Sequence, residues 1–302
     1  MHQVIKSEYD GRLLLSYLKT ELHLSSRLLS RLKRTDDGIM VNGQRVTVRY
    51  ILHEGDILEL ADGDLQSNGT VLPTELPLFV LFEDSDVIAL NKPPHMPTHP
   101  SHGHADDTLA NALAFRYRET PFIFRPVNRL DRDTSGIVLV AKNQRAASFF
   151  AEAMKNGEFK KTYLAVTAGS LCGVGTVEKP IRRAEQSIIL RTVCEKDDPG
   201  AQYALTEYEV LDASGAHSLL RVTPKTGRTH QIRVHLASVG APICGDSLYG
   251  RASELIDRQA LHAYSLEFPL PCGKTVKIKA PLPEDMKKLC TQLKLSTEGT
   301  EK

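Results

Sequence analysis

Three features of the sequence predict an α+β fold in two parts. Short apolar runs rich in β-branched residues alternate irregularly with stretches of helical period. At 302 residues the chain exceeds one ordinary domain and can bury a substantial core. Between the two parts, Ala61 to Pro77 shifts to Asp, Gly, Ser, Asn, Thr and Pro and carries neither hydrophobic period, as a linker does. The chain is accordingly divided into a small domain over residues 1–62, a linker over 63–77, a larger domain over 78–290 and a C-terminal tail over 291–302.

A helical reading from Ser25 to Arg34 gathers Leu28, Leu29 and Leu32 on one side and Arg27, Arg31 and Arg34 on the other. One face packs and the other is basic. Asn42-Gly43 turns a hairpin between two short strands. In the larger domain Phe79 to Phe82, Val87 to Leu90, Leu205 to Leu211 and Ser218 to Val222 read as strands, and Leu109 to Tyr117 and Arg145 to Met154 as helices. Ile137 to Ala141 reads as a short core strand, introduced by the turn-formers Asp131, Asp133, Thr134, Ser135 and Gly136. The residues after Thr229-His230-Gln231 read as another strand, on which Arg233 and His235 lie two apart. The polar end from Ser296 to Lys302 reads as a loose tail.

Composition narrows the class. A net charge of +1 neither supports nor excludes a nucleic-acid partner, because a local basic face suffices to bind phosphates. No stretch suits a signal peptide or a membrane span, so a cytoplasmic chain with no membrane partner is expected. Cys172, Cys194, Cys244, Cys272 and Cys290 form no C-x-x-C pair and read as reduced structural thiols. His95, His99, His102 and His104 raise a metal reading, but Pro93, Pro94, Pro97 and Pro100 around them describe an irregular loop, and no metal is assigned.

The chemistry concentrates at Asp131, a carboxylate in a turn at the edge of a buried strand, next to Arg129. Turn chemistry alone leaves a second role open, in which Asp131 caps backbone N–H groups. Asp131 and Asp133 do not suit a glycosidase pair, since two residues on one short turn cannot readily flank a sugar from opposite faces.

The string from Arg125 to Lys142 closely resembles the H-R-L-D-x-x-T-S-G signature of the RluA family of pseudouridine synthases, with Asn128 in place of the first His. Four other segments resemble further motifs of that family in its order: Asn91-Lys-Pro-Pro, Lys160-Lys-Thr-Tyr-Leu-Ala, the run from Lys225 to Gly250, and Leu261-His-Ala. Nearer the N-terminus, Gly11 to Leu18, Ser26-Arg27, Val41 to Val46 and Leu52 to Leu58 resemble an S4-type RNA-binding domain, with Leu14 where that pattern often has Asp.

The resemblance implies a mixed, largely antiparallel sheet with a central cleft, plus a small S4-like domain. It also implies isomerisation of uridine in structured RNA, with no cofactor. In that reading Asp131 is the nucleophile, Arg129 helps displace the target base, and Tyr163 is the stacking plate and candidate base. Arg228 is the expected cation beside Asp131, holding it ionised in a covered pocket. Arg27, Arg31 and Arg34 become phosphate contacts. Other roles stay open from the residues alone: Tyr163 in the core, Arg129 paired with Asp133, Arg228 on the surface, and Arg233 and His235 facing RNA or supporting Arg228. The expected partner is RNA, ribosomal rather than transfer, bound by a monomer. The competing classes are the same reaction on transfer RNA, a non-catalytic S4-type RNA-binding protein, and a metal-dependent hydrolase built on the histidine loop.

Overall fold

The computed structural model describes residues 2–22, 24, 26–61 and 71–300, with the side chain of Arg27 outside the description. Residues 63–70 of the expected linker fall outside it as well.

The first sixty residues enclose a core of their own. Four strands, β1 (His2–Val4), β2 (Ile39–Val41), β3 (Gln44–Arg45) and β4 (Ile57–Leu60), form one antiparallel sheet in the order β1-β4-β2-β3. Two seven-residue helices, α1 (Leu14–Thr20) and α2 (Ser26–Leu32), lie between β1 and β2 in sequence. Leu14 and Leu18 of α1 join Leu28, Leu29 and Leu32 of α2 in the buried cluster, as the helical period predicts. Leu14, which departs from the S4 pattern, is thus a core residue. Asn42 and Gly43 both have positive φ, 52° and 73°, which suits the tight turn joining β2 to β3. The Asn42 side chain then ties this turn to Asp56 and to the N–H of Ile57.

The larger part is built on a ten-stranded sheet. Its elements run β5 (Val80–Glu83), β6 (Val87–Lys92), α3 (Leu109–Arg116), β7 (Arg125–Pro126), β8 (Ser135–Ala141), α4 (Gln144–Lys155) and β9 (Lys160–Ala168). After β10 (Val174–Glu178), β11 (Ile181–Arg183) and β12 (Arg191–Val193) make a separate two-stranded ribbon. There follow β13 (Leu205–Ser214), β14 (His217–Pro224), α5 (Gln231–Ser238), β15 (Leu261–Pro269), β16 (Thr275–Lys279) and α6 (Glu284–Gln292). The sheet order is β10-β13-β14-β9-β15-β8-β6-β5, with β16 on β15 and β7 on β8. Every pairing is antiparallel except β15 with β8.

That parallel contact is the seam between two halves. Only His262 with Ser135 and Ala263 with Gly136 pair across it, after which β16 takes over the edge of β15. Gly136 has φ 111°, and a Cβ there would lie 2.3 Å from the Ala263 carbonyl oxygen, so only glycine permits this approach. β8 is buried on both faces. Ile137, Leu139 and Ala141 meet α4 through Ala146 and Phe150, while Val138 and Val140 meet α3 through Leu109 and Leu113. On the other side of the seam, Leu164, Val166, Leu220 and Val222 pack with α5 and α6 in the largest core cluster.

Two expectations are corrected. Residues 231–238 form α5, not a strand, because Ile232, Val234 and Leu236 alternate with Arg233 and His235 in a segment buried almost all round, where a period of two carries no information. The C-terminal residues are also packed. Leu289, Cys290 and Leu295 belong to the main core, and Arg221 and Asp212 bond the backbone of Gly299 and Ser296. Upstream, Leu72 and Thr74 of the expected linker already bond Asn111 of α3.

His262 closes the seam. Its Nε2 lies 3.3 Å from the Ala280 carbonyl oxygen, which requires an N–H there, so Nδ1 accepts from the Ser135 hydroxyl at 2.9 Å. The ring is neutral, and burial carries its pKa down to about 4. The unfolded chain binds this proton near pH 6.5 and the folded protein only near 4, so stability is lost as pH falls through that window. At about 1.4 kcal/mol per unit, the loss approaches about 3 kcal/mol at pH 4. Urea unfolding at pH 7, 5.5 and 4 should show this decline, and His262→Gln should remove most of it. An equally steep decline in the variant would contradict the assignment.

Candidate active site

The site lies at the head of β8, where a strand ladder is continued by a side chain. Val127 N–H bonds the Leu139 carbonyl, and then Asn128 takes over, its Oδ1 accepting from Leu139 N–H at 2.8 Å and its Nδ2 donating to the Ile137 carbonyl at 3.0 Å. The chain leaves β8 there and turns through Arg129, Leu130 and Asp131.

Buried donors hold that turn from below. Thr98 Oγ1 donates to the Leu130 carbonyl at 3.1 Å, and Lys92 Nζ to the Arg132 carbonyl at 2.8 Å. Arg258 Nη1 donates to the Asp133 carbonyl at 3.1 Å. Lys92 also donates to the carbonyls of Pro93 and Met96, so all three hydrogens of its ammonium are used, although burial pushes its pKa down to about 7. Arg258 is locked in turn by a two-pronged contact with Asp285 of α6, at 2.6 and 3.0 Å. The buried carbonyls of this turn are therefore satisfied, and its side chains are free to face the cleft.

Asp131 is 28% exposed, and its Oδ2 accepts from Nη1 of Arg233 at 3.0 Å. Arg233 is buried on α5 and is itself gripped by Asp246, through Nε at 2.7 Å and Nη2 at 2.8 Å. Burial alone would lower the Arg233 pKa, but the hydrogen bonds and charge of Asp246, and then of Asp131, carry it above its ordinary value. Tyr249 lies under the guanidinium, 5.2 Å from ring centre to Cζ. Its hydroxyl accepts from Arg191 N–H at 2.9 Å and lies 2.7 Å from His230 Nδ1. His230 Nε2 lies 3.8 Å from Asp131 Oδ2. Burial lowers the pKa of His230, which keeps it neutral. His230 sits in the left-handed region at φ 57° as the cap of α5. Gln231 fixes that corner, accepting from Thr226 Oγ1 and Arg228 N–H and donating to the Leu205 carbonyl and Thr206 Oγ1.

A cleft of about 730 Å³ opens over these groups, lined by Asp131, Tyr163, Arg129, Arg228 and His230 among others. Its size is that of sites which enclose a small ligand or a single nucleotide. Tyr163 projects from β9. Burial first and the charge of Asp131 second raise the Tyr163 pKa far above neutral, so the group in the cleft is a phenol. Arg129 is exposed beside Asp131, and among the described residues it has no bond to Asp133, which pairs instead with Arg132 and His95.

The structure thus brings Asp131, Tyr163 and Arg129 together. Arg228 is exposed at the same cleft, but its Nε donates to the Tyr203 carbonyl at 2.9 Å, and no bond joins it to Asp131. The cation beside Asp131 is Arg233 instead of the expected Arg228. Its partner Asp246 and the pair His230 and Tyr249 were not singled out from the sequence, and Gly245-Asp246 inside the run from Lys225 to Gly250 was the available signal. His235 lies away from the cleft, bonding Thr206 Oγ1 and the Lys179 carbonyl. Arg31 and Arg34 are exposed on the N-terminal unit. Three of the four loop histidines diverge, with His95 on Asp133, His99 edge-on to Phe124 and His104 on Asp107.

Residues 86–238 match the RNA pseudouridylate synthase family. A Bacillus subtilis protein described as an uncharacterized RNA pseudouridine synthase is 42% identical over 273 residues, covering 89% of this chain and 95% of its own. The chain belongs to the RNA pseudouridylate synthase family. A ribosomal large subunit pseudouridine synthase D of Xanthomonas campestris is 36% identical over 286 residues, 89% of this chain and 84% of its own. Among solved structures, human RNA pseudouridylate synthase domain containing 1 covers 73% of this chain and 96% of its own, at 27% identity and a TM-score of 0.58. The synthase therefore pairs its cleft aspartate with a buried arginine from α5.

Arg233→Lys should lower the single-turnover rate of the synthase by about two decades or more, because disrupting a buried, paired cation costs about 3–5 kcal/mol and each decade is about 1.4 kcal/mol. Arg228→Met should weaken RNA binding while leaving the rate at saturating RNA within about threefold, as expected for a surface change of under about 1 kcal/mol. A large rate loss confined to Arg228→Met would reverse the assignment.

Proposed function

We propose that this synthase isomerises a uridine of large-subunit ribosomal RNA with Asp131 as nucleophile. One observation supports this reading above the others: a part-exposed carboxylate held by a buried, doubly anchored arginine beside a phenol, in a cleft of nucleotide size. The ribosomal choice rests on relatives named for the large subunit, among them the proteins of Xanthomonas campestris and of Yersinia pestis, the latter 35% identical over 288 residues.

The reaction exchanges the N1–C1′ bond of uridine for a C5–C1′ bond. C5 loses its proton and N1 gains one, so no electrons are transferred and no co-reactant is consumed. A stacked uridine has to be extruded first, and Arg129, exposed beside Asp131, has the planar guanidinium to fill the vacated place. Asp131 then uses the oxygen that Arg233 does not hold, while the Arg233 contact keeps the carboxylate aimed. Tyr163, as a phenol, suits stacking on uracil and donating a hydrogen bond better than acting as a resting base.

The N-terminal unit serves as a tethered RNA anchor of S4 type. Its exposed Arg31 and Arg34 follow a helix whose opposite face is buried, and Arg27 belongs to the same stripe by sequence. Tethering raises the local concentration of RNA at the cleft. The synthase is read as a monomer that meets ribosomal RNA in the cytoplasm.

Asp131→Asn should abolish pseudouridine formation in large-subunit RNA transcripts while RNA affinity stays within about threefold, since an amide keeps the shape but is a poor nucleophile. Asp133→Asn should retain turnover. Product in the Asp131→Asn reaction, read by pseudouridine mapping, would remove Asp131 from the mechanism, and modification confined to transfer RNA would overturn the ribosomal target.

A further inference from the structure

Adjacent lysines on β9 have opposite surroundings. Lys160 is exposed and pairs with Glu267 across the strands at 2.5 Å. Lys161 faces the catalytic cleft with Tyr163, as alternation along a strand requires, and both line it. Among the described residues its one polar partner is the Met154 thioether, 3.9 Å from Nζ. Other buried or half-buried cations are satisfied differently: Lys92 by three carbonyls, Arg233 by two carboxylates, Arg258 by Asp285, and Lys142 by Glu83. Lys161 has no carboxylate and no carbonyl among the described residues, and burial is the single cause of its lowered pKa.

A half-buried ammonium without a counter-charge is unfavourable unless a ligand supplies one. The anion that an RNA substrate brings is its phosphodiester. We propose that Lys161 binds the backbone phosphate flanking the extruded uridine, and so seats the nucleotide while its base lies against Tyr163. Two residues along one face of a strand are about 7 Å apart. One nucleotide spans a separation of that order between its base and its own phosphate. Met154, whose thioether lies beside the Lys161 ammonium, also lines the cleft. This places Lys161 in substrate binding, apart from the bond changes at Asp131, and it rests on the reading of the cleft as the uridine site.

The test is equilibrium binding of a short target RNA to the full-length Asp131→Asn protein, with and without Lys161→Met and Lys161→Arg, across a salt series. Lys161→Met should weaken binding about tenfold or more, as for a lost hydrogen bond between charged groups. The slope of log affinity on log salt should fall by about 0.7–0.9, one phosphate contact. Lys161→Arg should restore the slope. Replacing one flanking phosphodiester by an uncharged methylphosphonate should weaken binding to the parent protein and have no further effect on Lys161→Met. An unchanged slope in Lys161→Met, or methylphosphonates that weaken both proteins equally, would overturn the proposal. A wild-type enzyme that binds this RNA without isomerising it would instead overturn the catalytic reading, and the salt series would still be informative about Lys161.

Discussion

The geometry of the cleft depends on one ladder of charge, from Asp246 through Arg233 to Asp131. Asp246 is buried and spends both oxygens on Arg233, with Oδ1 also accepting the N–H groups of Leu248 and Tyr249. Arg233 is thereby fixed in position before substrate arrives and offers a single N–H to Asp131. A buried ion pair contributes little net stability as a rule. Its value here is aim: one oxygen of Asp131 is held by Arg233 while the residue lines the cleft. The arrangement works as a preorganised site does, with the ordering cost met during folding.

The rest of the fold can be read as support for the two ends of that ladder. The Asp131 end sits on β8 beside the seam with β15, where Gly136 allows the two backbones to touch. Lys92 and Arg258 grip neighbouring carbonyls of its turn from opposite sides in sequence, one from the first strand pair and one from the segment before β15. The Arg233 end sits on α5, whose first turn is tied to β13 by Gln231 and to the ribbon strand β12 through Tyr249 and Arg191. Displacement of either half moves both charges relative to each other. The seam is accordingly closed by a neutral, buried histidine and a glycine rather than by side chains that allow slack.

Much of this was legible in the sequence. The core strand after Asp131, the helices near residues 109–117 and 145–154, and the Asn42-Gly43 turn follow from period and turn chemistry, because each has one buried face or a backbone requirement that few residues satisfy. α5 was misread because six consecutive buried residues erase the contrast that periodicity needs. The partner of Asp131 was misplaced for a related reason. Arg228 and Arg233 lie five residues apart in one basic run, and only the helix geometry decides that Arg233 turns inward to Asp246 while Arg228 bonds the Tyr203 carbonyl. The packed C-terminus was missed because Leu295 and Thr300 are buried by β13 and β14, elements distant in sequence. Long-range pairing of this kind leaves no local mark.

On the proposal that Asp131 is the nucleophile, Asp246 would act on catalysis through Arg233, since it is buried and lies outside the lining of the cleft. The most direct measurement is the single-turnover rate constant of Asp246→Asn at saturating RNA, on protein shown to be folded by circular dichroism, together with its RNA affinity. The expected rate is lower by about two decades, the scale of one disrupted buried ion pair at about 1.4 kcal/mol per decade, with affinity nearly unchanged. A folded Asp246→Asn enzyme that turns over at the wild-type rate would contradict it.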